Sequence, residues 1–340
     1  MVEISVIIPI YNVEDYLYEC INHIVNQSFE DIEIICINDG STDKSMDILN
    51  QFKDNRINII TQENKGLGAS RNVGIKHAKG KYVYFMDADD YLELTALEEL
   101  YALCEKLNTD FIMFKLKNFD DITKEIIEDE YYSMPYLKNR VGDNIFNYSD
   151  VKDIALDLAV NSPGNFFKRE FIKDLKYPEG LLYEDNVFFT KALFKADKIY
   201  FYDKFLYNRR VRKNSLSKSP SLDTIDITDL LLDIINEYGY TIHKKELYYR
   251  IFNNIYKIFE NTQEKYKEEV FLKIKEKYQK YNEKWQEDSY FRNELNPRYK
   301  NIFESALNSD SPAEFELRVK LFDSEKKLKK LKKQNKKLKK

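Results

Sequence analysis

The sequence predicts an α/β fold: a mostly parallel β-sheet covered by helices, followed by a helical C-terminal region and a short coiled-coil tail. Three observations carry this expectation. Within about the first 90 residues, four runs of β-branched and aromatic residues alternate with helix-spaced segments. From Asp223 onward the apolar residues recur at helical spacing. Near the end, leucines alternate at three- and four-residue intervals.

The first run, Glu3 to Ile10 (EISVIIPI), is continuously apolar after its opening acid, as a strand buried on both faces should be. Asp15 to Gln27 places Leu17, Ile21, Ile24 and Val25 on one helical face. A second strand, Ile32 to Ile37, runs into Asn38-Asp39-Gly40-Ser41-Thr42-Asp43. Ser41, Thr42 and Asp43 are cap residues for a helix to about Phe52, whereas Asp39 precedes the turn and has no such account. Ile57 to Thr61 is the third strand, and Asn64 to Asn72 opens a helix to about Ala78. The Gly66-Leu67-Gly68 pair lacks the third glycine and the distant acid of a dinucleotide fingerprint, and it is not a GxxxxGK loop. Lys65 and Arg71 beside a phosphate, or a plain glycine-containing loop, both suit this stretch.

The fourth strand, Lys81 to Phe85, ends in Asp87-Ala88-Asp89-Asp90. Ligands of open α/β sheets bind outside the carboxyl ends of the strands, so Asp87 and Asp89 face a ligand crevice. Carboxylates at this spacing can share a hard divalent cation, although turns and helix caps use the same residues.

Composition narrows the class. The 340 residues include 26 Tyr and 22 Phe, enough apolar mass for one large or two moderate domains. Cys20, Cys36 and Cys104 are scattered and set among apolar residues, which predicts buried free thiols in a reducing cytosol. No apolar run approaches the ~18 residues of a membrane span, and no basic segment leads into an apolar one at the N-terminus. A soluble, cytoplasmic chain is expected. The net charge of -4 hides an asymmetry, because ten lysines and no acid fall in Lys326 to Lys340 and the residues before them carry -14. An acidic body argues against nucleic acid as a partner, despite the cations of Tyr207 to Ser217.

SVIIPIYN, INDGSTD, NKGLGASRN and YFMDADD, in this order and spacing, resemble the nucleotide-binding half of family 2 glycosyltransferases with the Rossmann-like GT-A fold. The likeness is close over residues 1–120 and looser to about residue 220. It implies a nucleotide-sugar donor, UDP before dTDP or GDP, and Mn²⁺ or Mg²⁺. By position, Pro9 and Tyr11 would hold the nucleobase and Asp39 would hydrogen-bond it. Asp87 would contact the ribose or sugar, Asp89 would ligate the cation at the diphosphate, and Arg71 would lie near the acids and the sugar. Further on, Glu184-Asp185 resembles the family's ED motif. Asp185 is the first choice as general base and Glu184 the second, with Glu184 alternatively holding the acceptor. Favourable charge at a helix N-terminus, about 0.3–1 kcal/mol, is the ordinary account of the same pair. The stretch Tyr207 to Ser217 resembles the segment that closes over the donor, with Arg209 and Ser215 reaching the diphosphate, or Arg210 in place of Arg209. The implied reaction is inverting transfer to a hydroxyl of a glycan or lipid-linked glycan in cell-surface polysaccharide synthesis. A nucleotidyltransferase would need a Gly-rich, Arg-containing signature where Pro9-Ile10-Tyr11-Asn12 stands, and an inactive scaffold would have no need of the intact acids.

Phe111 to Asn118 and Asn165 to Arg169 are further strands, while the Tyr-rich stretch to Ser149 has no period and suits acceptor specificity. The reading divides the chain into a catalytic domain at 1–220 (1–120 for the nucleotide-sugar, 121–220 for the acceptor side and base), a helical appendage at 221–310 and a tail at 311–340. In the tail, Leu317, Leu321, Leu328, Leu331 and Leu338 form a seam with Ser324 and Asn335 at two of its positions. The flanking lysines would repel a second copy. An acidic partner helix or an anionic membrane at its inner face suits Lys326–Lys340, and a frayed solvated helix suits them equally.

Overall fold

A computed structural model describes residues 2–212 and 221–338, with side chains to residue 335. Ser215 lies outside the described residues. Two compact units are present, Met1–Ser219 and Pro220–Lys340.

The first unit is built on one ten-stranded sheet. Its strands are β1 (Ile4–Ile10), β2 (Ile32–Asn38), β3 (Ile57–Thr61), β4 (Tyr82–Phe85), β5 (Tyr91–Leu92), β6 (Phe111–Asp120), β7 (Ile126–Ile127), β8 (Ile145–Phe146), β9 (Asn165–Lys168) and β10 (Ile199–Val211). The order is β3-β2-β1-β4-β9-β6-β10-β5, with β7 on β6 and β8 on β10. From β3 to β4 every pairing is parallel, and so is β6 with β10. β9 enters antiparallel between β4 and β6, which makes the sheet mixed. All seven residues of β1 and of β2 are buried, as expected of inner parallel strands covered on both faces. The covering helices include α1 (Leu17–Val25), α2 (Ser45–Leu49), α3 (Leu67–His77) and α4 (Ala96–Leu107). α2 stops at Leu49, short of the expected Phe52, because Gln51 and Phe52 close onto Ile48 and Leu49 in tight turns.

Gly74 of α3 lies over Ile7 of β1 so closely that a β-carbon would sit 2.2 Å from its Cγ2. This contact seats the helix directly on the sheet. Further along β1 and β4, Met86 N donates to Ile7 O at 2.9 Å as the last rung before the chain turns, and Asp87 therefore emerges at the carboxyl end of β4. Cys20, Cys36 and Cys104 are buried and unpaired.

The second unit is helical. Asp223–Tyr238 and Lys267–Glu287 match the expected amphipathic pattern, while Ser289–Asn293 and Pro297–Asn308 had no separate signal. Its core is aromatic, with Phe252 set among Tyr278, Trp285, Phe291 and Phe303 at centroid distances of 5.5–6.1 Å. Two buried acids tie the first of those helices to the second. Asp226 accepts from Tyr281 Oη at 2.6 Å, and Asp229 accepts from Trp285 Nε1 at 2.8 Å. The final helix, Pro312–Leu338, buries Phe315 and Val319 and leaves Leu317, Leu321, Leu328 and Leu331 about half exposed.

Candidate active site

Three strand ends converge. The turns after β1 and β2 are laced together: Asp39 N donates to Ile10 O at 2.9 Å, Thr42 N to Asn12 Oδ1 at 2.8 Å and Val13 N to Ser45 Oγ at 3.0 Å. Asn12 takes a left-handed φ of +49° to make this turn. Pro9 is buried within β1, and Tyr11 stands at its rim, 49% exposed, with its ring open to solvent.

Asp39 has structural work that its place in the sequence did not show. The side chain is buried; Oδ1 accepts from Gln62 Nε2 at 2.7 Å and Lys65 N at 2.9 Å, and Oδ2 accepts from Gly66 N at 2.8 Å. Three of roughly four acceptor positions of the carboxylate are thereby filled. Gly66 sits at φ +86°, a conformation glycine adopts without strain, so Asp39 fixes the entry to α3. Lys65 is held there by its backbone, and its side chain is exposed.

The first turn of α3 delivers Arg71 to the centre. Arg71 is buried, donating from Nη2 to Asp87 Oδ1 at 2.8 Å and from Nη1 to Glu184 Oε1 at 2.5 Å, with its guanidinium 5.3 Å from the Tyr177 ring centroid. Burial works against its charge, but Asp87 and Glu184 more than compensate and hold it well above the usual arginine range. Arg71 thus joins the end of β4 to the start of the helix Glu184–Lys195, 113 residues away in sequence. The approach is close. A β-carbon on Gly68 would lie 2.3 Å from Pro178 O, and Asn72 exchanges hydrogen bonds of 2.9 Å with the backbone of Tyr177.

Glu184 is buried, and its carboxylate is already paired with Arg71. Asp185, one residue on and turned by about 100° in the helix, is partly exposed. Burial of its carboxyl raises the pKa to about 7, the negative charge of Glu184 adds to the rise, and Arg71 opposes it.

The other acids of the Asp87-Ala88-Asp89-Asp90 turn divide by environment. Asp90 is buried, accepting from Tyr207 Oη at 2.7 Å and Arg210 N at 2.7 Å, so it serves to fix β10 against the turn. Asp89 remains partly exposed, and its Oδ2 accepts from Arg212 Nη2 at 2.5 Å. Burial, and then the charge of Asp87, raise its pKa. Arg209 has its guanidinium 5.1 Å from the Tyr132 ring centroid and Nη1 3.4 Å from Asn118 Oδ1. Arg210, the alternative to Arg209, is buried and bonded to Asp89 O, Asp121 and Glu19, which leaves it anchored to protein. Tyr132 and Tyr177 were not singled out from the sequence, and Tyr207 and Arg212 were covered only as members of the stretch Tyr207 to Ser217, without roles of their own. The excess of tyrosine in the stretch to Ser149 hinted at Tyr132.

Among the described residues no three or more His, Cys, Asp or Glu side chains come together as a metal cage. The donor set nevertheless fits a hard divalent cation that arrives with phosphate. Mg²⁺-type ions at phosphate sites use one or two carboxylates and complete their shell with phosphate oxygens and water. Asp89, a partly exposed carboxylate whose charge is disfavoured by burial and by a second carboxylate, has the chemistry such a ligand would need.

Residues 5–175 match the family described as Glycosyl transferase family 2, half of the chain. The chain belongs to that family. Its fold is GT-A. Glycosyltransferase GlyA of Streptococcus pneumoniae is 33% identical over 258 residues, 73% of this chain and 37% of that protein. The poly(ribitol-phosphate) beta-glucosyltransferase of Bacillus spizizenii is 35% identical over 208 residues, 58% of this chain and 30% of its own length. The chain therefore spans about a third of these two larger family members. Residues 1–349 of S. aureus TarS, crystallised in complex with UDP-GlcNAc, superpose with a TM-score of 0.69 at 20% identity, covering 95% of this chain and 92% of that one. At that identity the likeness to TarS shows the fold.

Proposed function

We propose that the protein transfers a sugar with inversion from a UDP-sugar to a hydroxyl of a cell-surface glycan, including polymers joined by phosphodiesters. The observation that carries this is Asp185, a carboxyl of pKa about 7 placed beside the Arg71 node that gathers Asp87 and Glu184. Tyr11 and the laced turns of β1 and β2 receive the nucleobase, with Asp39 holding their floor. Asp87, pinned by Arg71, presents its second oxygen to ribose or sugar hydroxyls. Asp185 accepts the proton of the acceptor hydroxyl as that oxygen closes on the anomeric carbon. Arg209 and Ser215 steady the diphosphate. Mn²⁺ or Mg²⁺, when bound, would be held by Asp89 and would supply Lewis-acid stabilisation of the departing diphosphate. The residues that do the chemistry then lie within 1–220, and the helices of 221–310 form an accessory body.

The test is calorimetric titration of UDP, dTDP and GDP, each with and without Mn²⁺. UDP is expected to bind in the low-micromolar to millimolar range usual for substrates, with Mn²⁺ required for its full affinity. Equal affinity for all three nucleotides, or none for any, would sink the UDP assignment.

The tail supports a further part of this reading, peripheral attachment to an anionic membrane. No described helix is long and apolar enough to cross a bilayer. Pro312–Leu338 instead carries a narrow leucine row flanked by lysines. An acidic partner helix would face only the lysines beside the seam, Lys327 and Lys332, and would leave the others unanswered. Lys326, Lys329, Lys330 and Lys333 point away from the seam, and a diffuse sheet of anionic headgroups meets all of them at about 1 kcal/mol each. The chain should co-float with vesicles containing phosphatidylglycerol and not with pure phosphatidylcholine. Leu328→Glu with Leu331→Glu should abolish flotation without changing the far-UV spectrum. Equal recovery on both vesicle types would reject the electrostatic part of the reading, and no recovery on either would reject attachment.

A further inference from the structure

At the end of β10 the guanidinium groups of Arg210 and Arg212 both lie 4.9 Å from the Tyr16 ring centroid, whereas that of Arg209 lies over the Tyr132 ring. Arg212 is held lightly compared with Arg210. Its Nη2 donates to Asp89 Oδ2 at 2.5 Å and its guanidinium lies 4.9 Å from the Tyr16 ring centroid. Nε, which shares an edge of the guanidinium with Nη2, is buried without a partner. An edge made for two oxygens thus meets a carboxylate with one of its prongs.

A buried donor left unpaired is costly, and at the rim of a ligand site an incoming ligand atom can supply the partner. Asp89 is also the carboxylate best suited to a divalent cation, so Arg212 and that cation compete for the same oxygen atoms. Resting on the donor reading above, we propose that Arg212 is an exchange residue: it neutralises Asp89 in the free enzyme and moves to the donor diphosphate when Asp89 takes up the cation. Phosphate oxygens satisfy Nε and Nη2 together, a bidentate geometry that an arginine edge prefers and a lysine cannot reproduce. The exchange keeps charge in balance, since the cation replaces the arginine at Asp89 and the arginine answers the incoming diphosphate. Arg212 is in this sense a competitor of the cation in the free enzyme and a binding residue for the donor.

The experiment has two readouts and needs no turnover. Mn²⁺ is titrated into wild type and Arg212→Gln while free Mn²⁺ is followed by electron paramagnetic resonance; UDP is then titrated calorimetrically into each Mn²⁺-saturated protein. Loss of the competitor should tighten Mn²⁺ binding about tenfold in Arg212→Gln, and loss of the fork should weaken UDP about tenfold. Arg212→Lys, which keeps the charge alone, should bind Mn²⁺ nearly as wild type does and UDP more weakly. Unchanged Mn²⁺ affinity in Arg212→Gln overturns the competition, and unchanged UDP affinity overturns the transfer to phosphate. If wild type binds UDP only with Mn²⁺ while the variants match it, this inference alone fails. A wild type that binds neither ligand removes the donor reading, and the exchange falls with it.

Discussion

Asp185→Asn is expected to lower kcat by about 10²–10⁴-fold, the usual contribution of a positioned general base, while UDP affinity stays within about twofold. The amide keeps the size and the helical position of the carboxyl and loses only its basicity. In wild type, kcat/KM should rise with pH through about 7, because the free enzyme's Asp185 accepts a proton only once it is ionised and its pKa is about 7. The residual activity of the variant should lack that limb. Stability moves the other way. A carboxyl with a folded-state pKa above its unfolded value holds its proton more tightly when folded, so its contribution is full below pH ~4 and is lost as pH rises to about 7. The asparagine has no proton to lose. The variant should therefore gain on wild type between pH 5 and pH 8, by on the order of 2 kcal/mol after allowing for partial exposure. Chemical denaturation at the two pH values measures this. A variant with near-normal turnover would remove Asp185 from the base role, and one whose stability advantage did not grow with pH would remove the raised pKa.

Much of this site could be read in the chain because strand ends announce themselves. Ile4 to Ile10, Ile32 to Asn38 and Tyr82 to Phe85 are apolar runs that stop at polar residues, and parallel packing fixes which end of each strand those residues occupy. Direction is less visible. Phe166 and Phe167 read alike from either end, so nothing local showed that β9 runs antiparallel between β4 and β6. The division of labour among adjacent acids was also hidden. Asp89 and Asp90 differ only by which of them meets Tyr207 and the backbone of Arg210, some 120 residues later. Glu184 and Asp185 differ by a rotation about one helix axis, and it is Glu184 that meets Arg71, 113 residues earlier. Such partners are chosen by topology, and spacing within a motif carries no record of them.

Arg71→Met should give the largest loss of stability of any single change at the site. The methionine fills much of the space and removes the charge, leaving Glu184 buried at 5% exposure beside a now unpaired Asp87. Breaking a buried pair by deleting one partner costs about 3–5 kcal/mol, most of it the penalty of the orphaned charge. The same loss has a catalytic signature. Arg71 is the cation that restrains the rise of the Asp185 pKa, so the alkaline-going limb of kcat/KM should shift to higher pH in whatever activity survives. Adding Glu184→Gln separates the two effects. The double variant has no buried anion at position 184 and should recover much of the stability, giving a coupling energy of 0.5–3 kcal/mol in a double-mutant cycle. It should not recover turnover, because Asp87 and the start of the helix Glu184–Lys195 are no longer held to one another. An Arg71→Met protein that loses under about 1 kcal/mol would mean that Glu184 reaches solvent or takes up a proton at little cost. The node would then be a convenience of packing, and the position of Asp185 would have to be fixed by the contacts of α3 with Pro178 and Tyr177 alone.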